Sequence, residues 1–120
     1  MKRIALVAIA LSAAAPALAG DIIGEWKRTD GRSRIRMANC GGAVCGTITW
    51  LRDPNSPARV GQQVFSGLTR TAEGWTGSAF NPEDGKTYDG KVILSGASMT
   101  TSGCAFGGMI CKSAQWTRAN

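Results

Sequence analysis

The feature that most limits this chain is its punctuation. Asp30-Gly31, Gly41-Gly42, Glu73-Gly74, Asp84-Gly85 and Gly96 recur along the sequence, and each favours a tight reversal of the backbone. The runs between them are short and lack a helical period. Those predicted as strands are Ile22–Arg28, Arg32–Asn39, Cys45–Arg52, Gln62–Thr69, Gly74–Phe80, Lys86–Leu94, Ser98–Gly103 and Lys112–Ala119. About eight short strands at roughly 8–12-residue spacing predict an all-β fold, an antiparallel sandwich or barrel. The one longer connection, Asp53–Gly61 with Pro54 and Pro57, is expected to be a loop or to hold a single helical turn.

Alternation along the runs predicts an inside. Trp26 shares a face with Ile22 and Gly24, and Lys27 points the other way. Ile48 and Trp50 are expected on one face of the third strand, and Tyr88, Val92 and Leu94 on one face of the sixth. Trp116 falls beside Ala114 and Arg118 on the last. Tryptophans spread over four strands converge if the sheet closes on itself, and closure also removes exposed edges. Side chains can fill the interior of so small a barrel, so core packing is the first role expected of each aromatic.

Residues 1–19 read as an export signal. Lys2 and Arg3 precede the apolar run Ile4–Ala14, Pro16 breaks it, and Ala17-Leu18-Ala19 offers a small-x-small cleavage site. The apolar run is too short for a membrane anchor. Cleavage near Ala19 would leave 20–120 as a single domain, periplasmic or secreted, with no transmembrane segment. Cys40, Cys45, Cys104 and Cys111 all lie in that part, and an even count in an oxidising compartment favours disulfides. Pairing Cys40 with Cys45 and Cys104 with Cys111 closes small loops worth on the order of 2–2.5 kcal/mol each; a long-range pairing closes larger ones worth about 4. The local pairing is expected because each pair brackets glycine in a predicted hairpin. Zinc fits less well, since the second spacing is wider than a usual cysteine knuckle. A redox role fits least, because neither pair is C-x-x-C. No metal and no cofactor is expected.

Of the 14 basic residues, Lys2 and Arg3 lie in the leader, which leaves 12 against 8 acids. This moderate excess favours anionic neighbours such as lipid head groups or acidic polymers. Its densest stretch alternates Arg32, Arg34 and Arg36 with Ser33, Ile35 and Met37. On a strand the arginines would share a solvated outer face, and that face is also the candidate contact for an anionic partner. Nucleic acid is not expected as a partner of an exported protein.

Histidine is absent, which removes Ser-His-Asp and Cys-His arrangements and the usual histidine-bearing zinc sites. Glu83-Asp84 is the only close pair of acids, and it sits where turn geometry already explains it. Asn81, Glu83, Asp84 and Asp89 lack the ligand spacing of a recognised calcium loop. No enzyme activity is expected.

The order of several motifs resembles one family. Gly24-x-Trp26 and Asp30-Gly31 are followed by Cys40-Gly-Gly-x-x-Cys45-Gly46 and Ile48-x-Trp50-Leu51. Then come Trp75-x-Gly77, the segment Asn81-Pro82-Glu83-Asp84-Gly85-Lys86-Thr87-Tyr88 and a terminal Gln115-Trp116-x-Arg118. This pattern is similar to the bacterial domain of unknown function 2147 family of small exported proteins, and it covers essentially all of 20–120. The resemblance implies a lipocalin-like, up-and-down barrel. In lipocalin and avidin-like barrels the GxW tryptophan plugs the closed end under a late-strand arginine, which would make Trp26 and Arg118 a structural pair. The segment Cys104–Cys111 departs from the family pattern, adding a second staple around a tip with Phe106, Met109 and Ile110.

Two function classes remain open. The first is a binding barrel for a small apolar or amphipathic ligand, with Trp50, Trp75 and Tyr88 as candidate contacts. The alternative is an envelope interaction protein that meets an anionic polymer, membrane surface or protein through its arginine face or its loops.

Overall fold

The computed structural model describes residues 22–119; the predicted signal peptide lies outside them. Eight strands form: β1 Gly24–Arg28, β2 Ser33–Cys40, β3 Ala43–Leu51, β4 Gln63–Arg70, β5 Trp75–Asn81, β6 Lys86–Ser95, β7 Ser98–Ala105 and β8 Ile110–Arg118. Each pairs antiparallel with its neighbour in sequence, and β8 returns to β1, so the sheet is a closed up-and-down barrel. The predicted runs match these strands to within about two residues at either end. Glycine supplies the reversals where a side chain would be strained: Gly41 and Gly42 have φ of 65° and 90° in the β2–β3 turn. The β3–β4 connection consists of turns and bends without a helix. The one helical turn among the described residues is a 3-10 turn, Phe106–Gly108, between β7 and β8.

Both disulfides take the local pairing. Cys104 and Cys111 stand directly opposite each other across β7 and β8, with Cα atoms 4.1 Å apart. Cys40 and Cys45 bridge the β2–β3 hairpin at 5.7 Å, on a diagonal, because Cys40 faces Ala43 and Cys45 faces Ala38. One staple therefore lies at each end of the barrel. The β2–β3, β4–β5 and β6–β7 turns lie at one end, and the other four connections lie at the opposite end.

The first of these ends is packed solid. Ile22, Trp26, Met37, Leu68, Val92 and Met99 are fully buried there, with Trp75 and Val44 beside them. Trp26 donates its indole N–H to the Ile22 carbonyl at 2.9 Å, and the Arg118 guanidinium lies 4.2 Å above its ring. Arg118 in turn donates to the Ile23 carbonyl at 2.8 Å. Gly24 makes this possible. Its φ is +131°, and a Cβ there would lie 2.9 Å from Arg118 Nη1. Glycine before the plugging tryptophan thus leaves room for the arginine that covers it.

One alternation is corrected. Ile35 pairs with Ile48, but the preceding residue, Arg34, pairs with Trp50, so Thr49 is an extra residue on β3. A bulge of this kind reverses the facing of the residues beyond it. Ile48 stays in the core, and Trp50 turns outward with 45% of its surface exposed. On the outer surface Thr49 donates its hydroxyl to Glu25, and Arg36 approaches the same carboxylate at 3.2 Å.

Candidate functional site

Above the packed end the barrel opens. A cavity of about 1100 Å³ enters it, larger than the roughly 300–1,000 Å³ typical of small-molecule pockets. The volume arises because small residues occupy wall positions: Ser33, Ala79, Thr101, Gly103 and Ala114 all line it. A Cβ on Gly103 would meet Tyr88 Cβ at 3.5 Å and Ala79 Cβ at 3.6 Å. Apolar contact comes from Ile35, Ile48, Val64, Phe65 and Trp116. The Trp116 indole N–H donates to Thr101 Oγ1 at 2.9 Å, which satisfies the buried hydroxyl and fixes the ring. The β3–β4 loop bends over the mouth and adds Asp53, Asn55, Ser56, Pro57 and Ala58 to the lining.

The upper wall is cationic on one side. Arg28 shares the inward face of β1 with Trp26 and pairs across the strands with Trp116. Its guanidinium lies 5.9 Å from the centre of that ring, and its Nε is 3.0 Å from Asp30 Oδ2. Arg32 approaches the same oxygen at 3.6 Å, and Arg52 reaches the Asp30 carbonyl at 3.4 Å. All three arginines line the cavity, and Lys112 lines it from farther along the inward face of β8, opposite Gly103 and on the side of Asp84. Burial opposes charge on Asp30, but the Arg32 backbone N–H and the Arg28 guanidinium outweigh it and hold the carboxyl below the ordinary aspartate range. Asp53 and Glu83 are the acids in the lining.

The ligand-contact candidates separate. Tyr88 lines the cavity and donates its hydroxyl to Asp84. That bond lowers the Asp84 pKa, helped by the Lys86 N–H, and raises that of Tyr88. Trp75 is buried in the packed end under Arg70, 4.5 Å above its ring, and does not line the cavity. Trp50 is on the outer wall beneath Arg34, 5.9 Å from the ring centre.

The arginine stretch separates as well. Arg34 and Arg36 lie on the outside of β2, whereas Arg32 precedes the strand and belongs to the mouth. Each has an internal partner: Asp30 for Arg32, Trp50 for Arg34 and Glu25 for Arg36. In the β5–β6 turn the Asn81 and Asp84 side chains are used in turn geometry. Asn81 Oδ1 accepts from the Glu83 N–H and Asp84 Oδ1 from the Lys86 N–H, each at 2.9 Å. The stapled tip is exposed at the mouth, with Phe106 and Met109 at 75% and 85%.

Sequence alone does not single out Arg28, Lys112 or the cavity-facing Trp116 as contacts. A signal for them exists in the paired tripeptides Trp26-Lys27-Arg28 and Trp116-Thr117-Arg118. Antiparallel pairing sets each tryptophan against the other's arginine.

This geometry agrees with what the chain resembles. Protein HP1028 from the human pathogen Helicobacter pylori, described as belonging to the lipocalin family, is a solved structure similar to it. The two share 16% identity over 82% of this chain and 83% of that one, with a TM-score of 0.64. At that identity the likeness concerns the fold, a lipocalin-like barrel. No curated protein matches the chain in sequence. Residues 24–118, β1 through β8, match the family described as uncharacterized protein conserved in bacteria, DUF2147, and the chain belongs to that family.

Proposed function

We propose that this protein binds a small apolar or amphipathic molecule in the open half of its barrel and holds it without chemical conversion. The cavity of about 1100 Å³ carries this reading, because its floor and lower walls are apolar while its polar groups gather at the mouth. A space of that size costs the core packing that fills the opposite end, and occupation by a ligand would return those contacts. The lipocalin-like fold is commonly a binding fold, which supports the reading by analogy. Arg28 and Arg32 are paired with Asp30, Asp53 accepts from the Asn55 N–H within its loop, and no paired acid and base stands over the apolar floor among the described residues. The leader and the disulfides support a periplasmic or secreted setting.

The test is native mass spectrometry of the protein isolated without detergent, together with titration of 1-dodecanol followed by tryptophan fluorescence. The expected result is a small-molecule adduct, or saturable uptake of one alcohol per chain that perturbs Trp116. Absence of both an adduct and any response to apolar ligands contradicts the reading.

A further inference from the structure

The cavity is not electrically symmetric, and the asymmetry bears on what enters it. Charged residues that line it from the strands themselves are Arg28 at the end of β1 and Lys112 on β8, both cations. Arg32 and Arg52 line it from the adjoining connections; the Asp30 carboxylate serves Arg28 and Arg32, and its backbone carbonyl accepts from Arg52. Asp53, next to Arg52, adds a second carboxylate, so three guanidinium groups face two negative charges and this side of the mouth keeps an excess of one positive charge. The acids Asp53 and Glu83 enter the lining from loops.

Arg28 is the telling member. Its side chain is only 32% exposed, and its guanidinium stands over the Trp116 ring, where the apolar floor begins. A neutral ligand gains nothing from a half-desolvated cation there. An oxyanion gains a charge-assisted, geometrically matched partner in a guanidinium.

We infer that the cavity selects amphipathic anions: an alkyl chain lies along Ile35, Phe65 and Trp116, and a carboxylate or phosphate head is taken by Arg28 with Arg32 and Arg52. This rests on the reading of the cavity as a ligand site and adds its head-group chemistry. Asp30 holds Arg28 in place and keeps it facing the mouth until a ligand oxyanion shares it. The side of the mouth built by the end of β1, the β1–β2 connection and the start of the β3–β4 loop is thus the polar end of the site, and the apolar floor is its tail end.

The experiment compares dodecanoate, dodecyl phosphate, 1-dodecanol and dodecyltrimethylammonium, all below their micelle concentrations, by calorimetry at low and high salt. The expected result is binding of both anions about tenfold or more tighter than the alcohol. The cation should bind weakest, and the anion preference should shrink in high salt. R28Q and R32Q should each lower the ratio of anion affinity to 1-dodecanol affinity. Arg32 is 60% exposed and makes no contact with Trp116, so R32Q reports even if R28Q disturbs the packing on that ring. Equal binding of alcohol and anions by the unmodified protein overturns this inference and leaves the ligand-site reading standing. Retention of the full anion preference by both variants overturns it in the same way. If neither alcohol nor anion binds, both readings fall. A preference for dodecyl phosphate over dodecanoate, or the reverse, identifies which head group the cluster fits.

Discussion

The two ends of the barrel are built from the same pair of residues put to different uses. At the closed end Trp26 is wholly buried and Arg118 lies 4.2 Å over it, tied to a backbone carbonyl. At the open end Trp116 carries Arg28 at 5.9 Å, tied to an aspartate at the rim. The two pairs are neighbours in register, since Trp26 faces Arg118 and Arg28 faces Trp116 across β1 and β8. What separates them is their surroundings. Arg118 has large apolar side chains beneath and a carbonyl beside it, so its charge is spent on closing the barrel. Arg28 borders empty space lined by small residues, so its charge remains addressable. Residue type alone does not assign a role; the size of the neighbours does.

Breaking the closed end should give the largest effect. Trp26→Ala removes a fully buried indole and should cost about 3–5 kcal/mol, a large part of the roughly 5–15 kcal/mol of a typical domain. Urea unfolding should show this loss, and Trp116→Ala should cost less because its ring already borders a cavity. A comparable loss from both would show that the open end is packed like the closed one. The next effect is Gly24→Ala. A Cβ would crowd Arg118 at a φ that side chains rarely adopt, so a loss of about 1–3 kcal/mol is expected. A loss below about 0.5 kcal/mol would mean that Arg118 is not held over Trp26 as described.

Filling the open end should hardly touch stability. Ala114→Phe places an aromatic ring in free space, so stability in urea should stay within about 1 kcal/mol of the parent, while 1-dodecanol uptake is lost. A strongly destabilised variant would argue that the space is not there. The smallest effect is electronic. Tyr88 is the only tyrosine in the chain, so tyrosinate absorbance reports it alone. Its hydrogen bond to Asp84 raises its pKa, so that contribution to stability is fully present below the ordinary value of about 10 and is lost as pH rises through the raised one. For Asp84 the sense is opposite: the contribution is present above the ordinary aspartate value and is lost as pH falls through the lowered one. Asp84→Asn should therefore bring the tyrosine titration down toward its ordinary pH. An unchanged titration curve would exclude the bond.

Much of this architecture is legible in the chain itself. Turn residues place the strands, because a glycine beside an Asx residue at a hairpin tip has few alternatives. The short spacing within each cysteine pair makes local bridges natural, and Tyr88 falls on the cavity face that its alternation with Val92 predicts. The arginine stretch is only partly legible, since β2 begins at Ser33 and leaves Arg32 at the mouth. Trp50 departs from its expected face because one extra residue, Thr49, inverts the strand after it, and alternation carries no mark of where a bulge falls. The cavity is hidden for a different reason. Ala79, Gly103 and Ala114 look ordinary in sequence, and only the closed register brings them around one space. Arg28 sits at a strand end, where an inward and a solvated arginine look alike until the opposing tryptophan is known.

One half of the barrel is plugged, and the other half is the proposed ligand site. The most direct test is a crystal of the protein grown with 11-bromoundecanoate and measured for anomalous scattering from bromine. A bromine peak is expected inside the barrel, in the apolar floor bounded by Ile35, Phe65, Ala114 and Trp116, with the carboxylate toward Arg28. An interior holding no bromine, or a peak only on the outer wall beside Trp50, would contradict it.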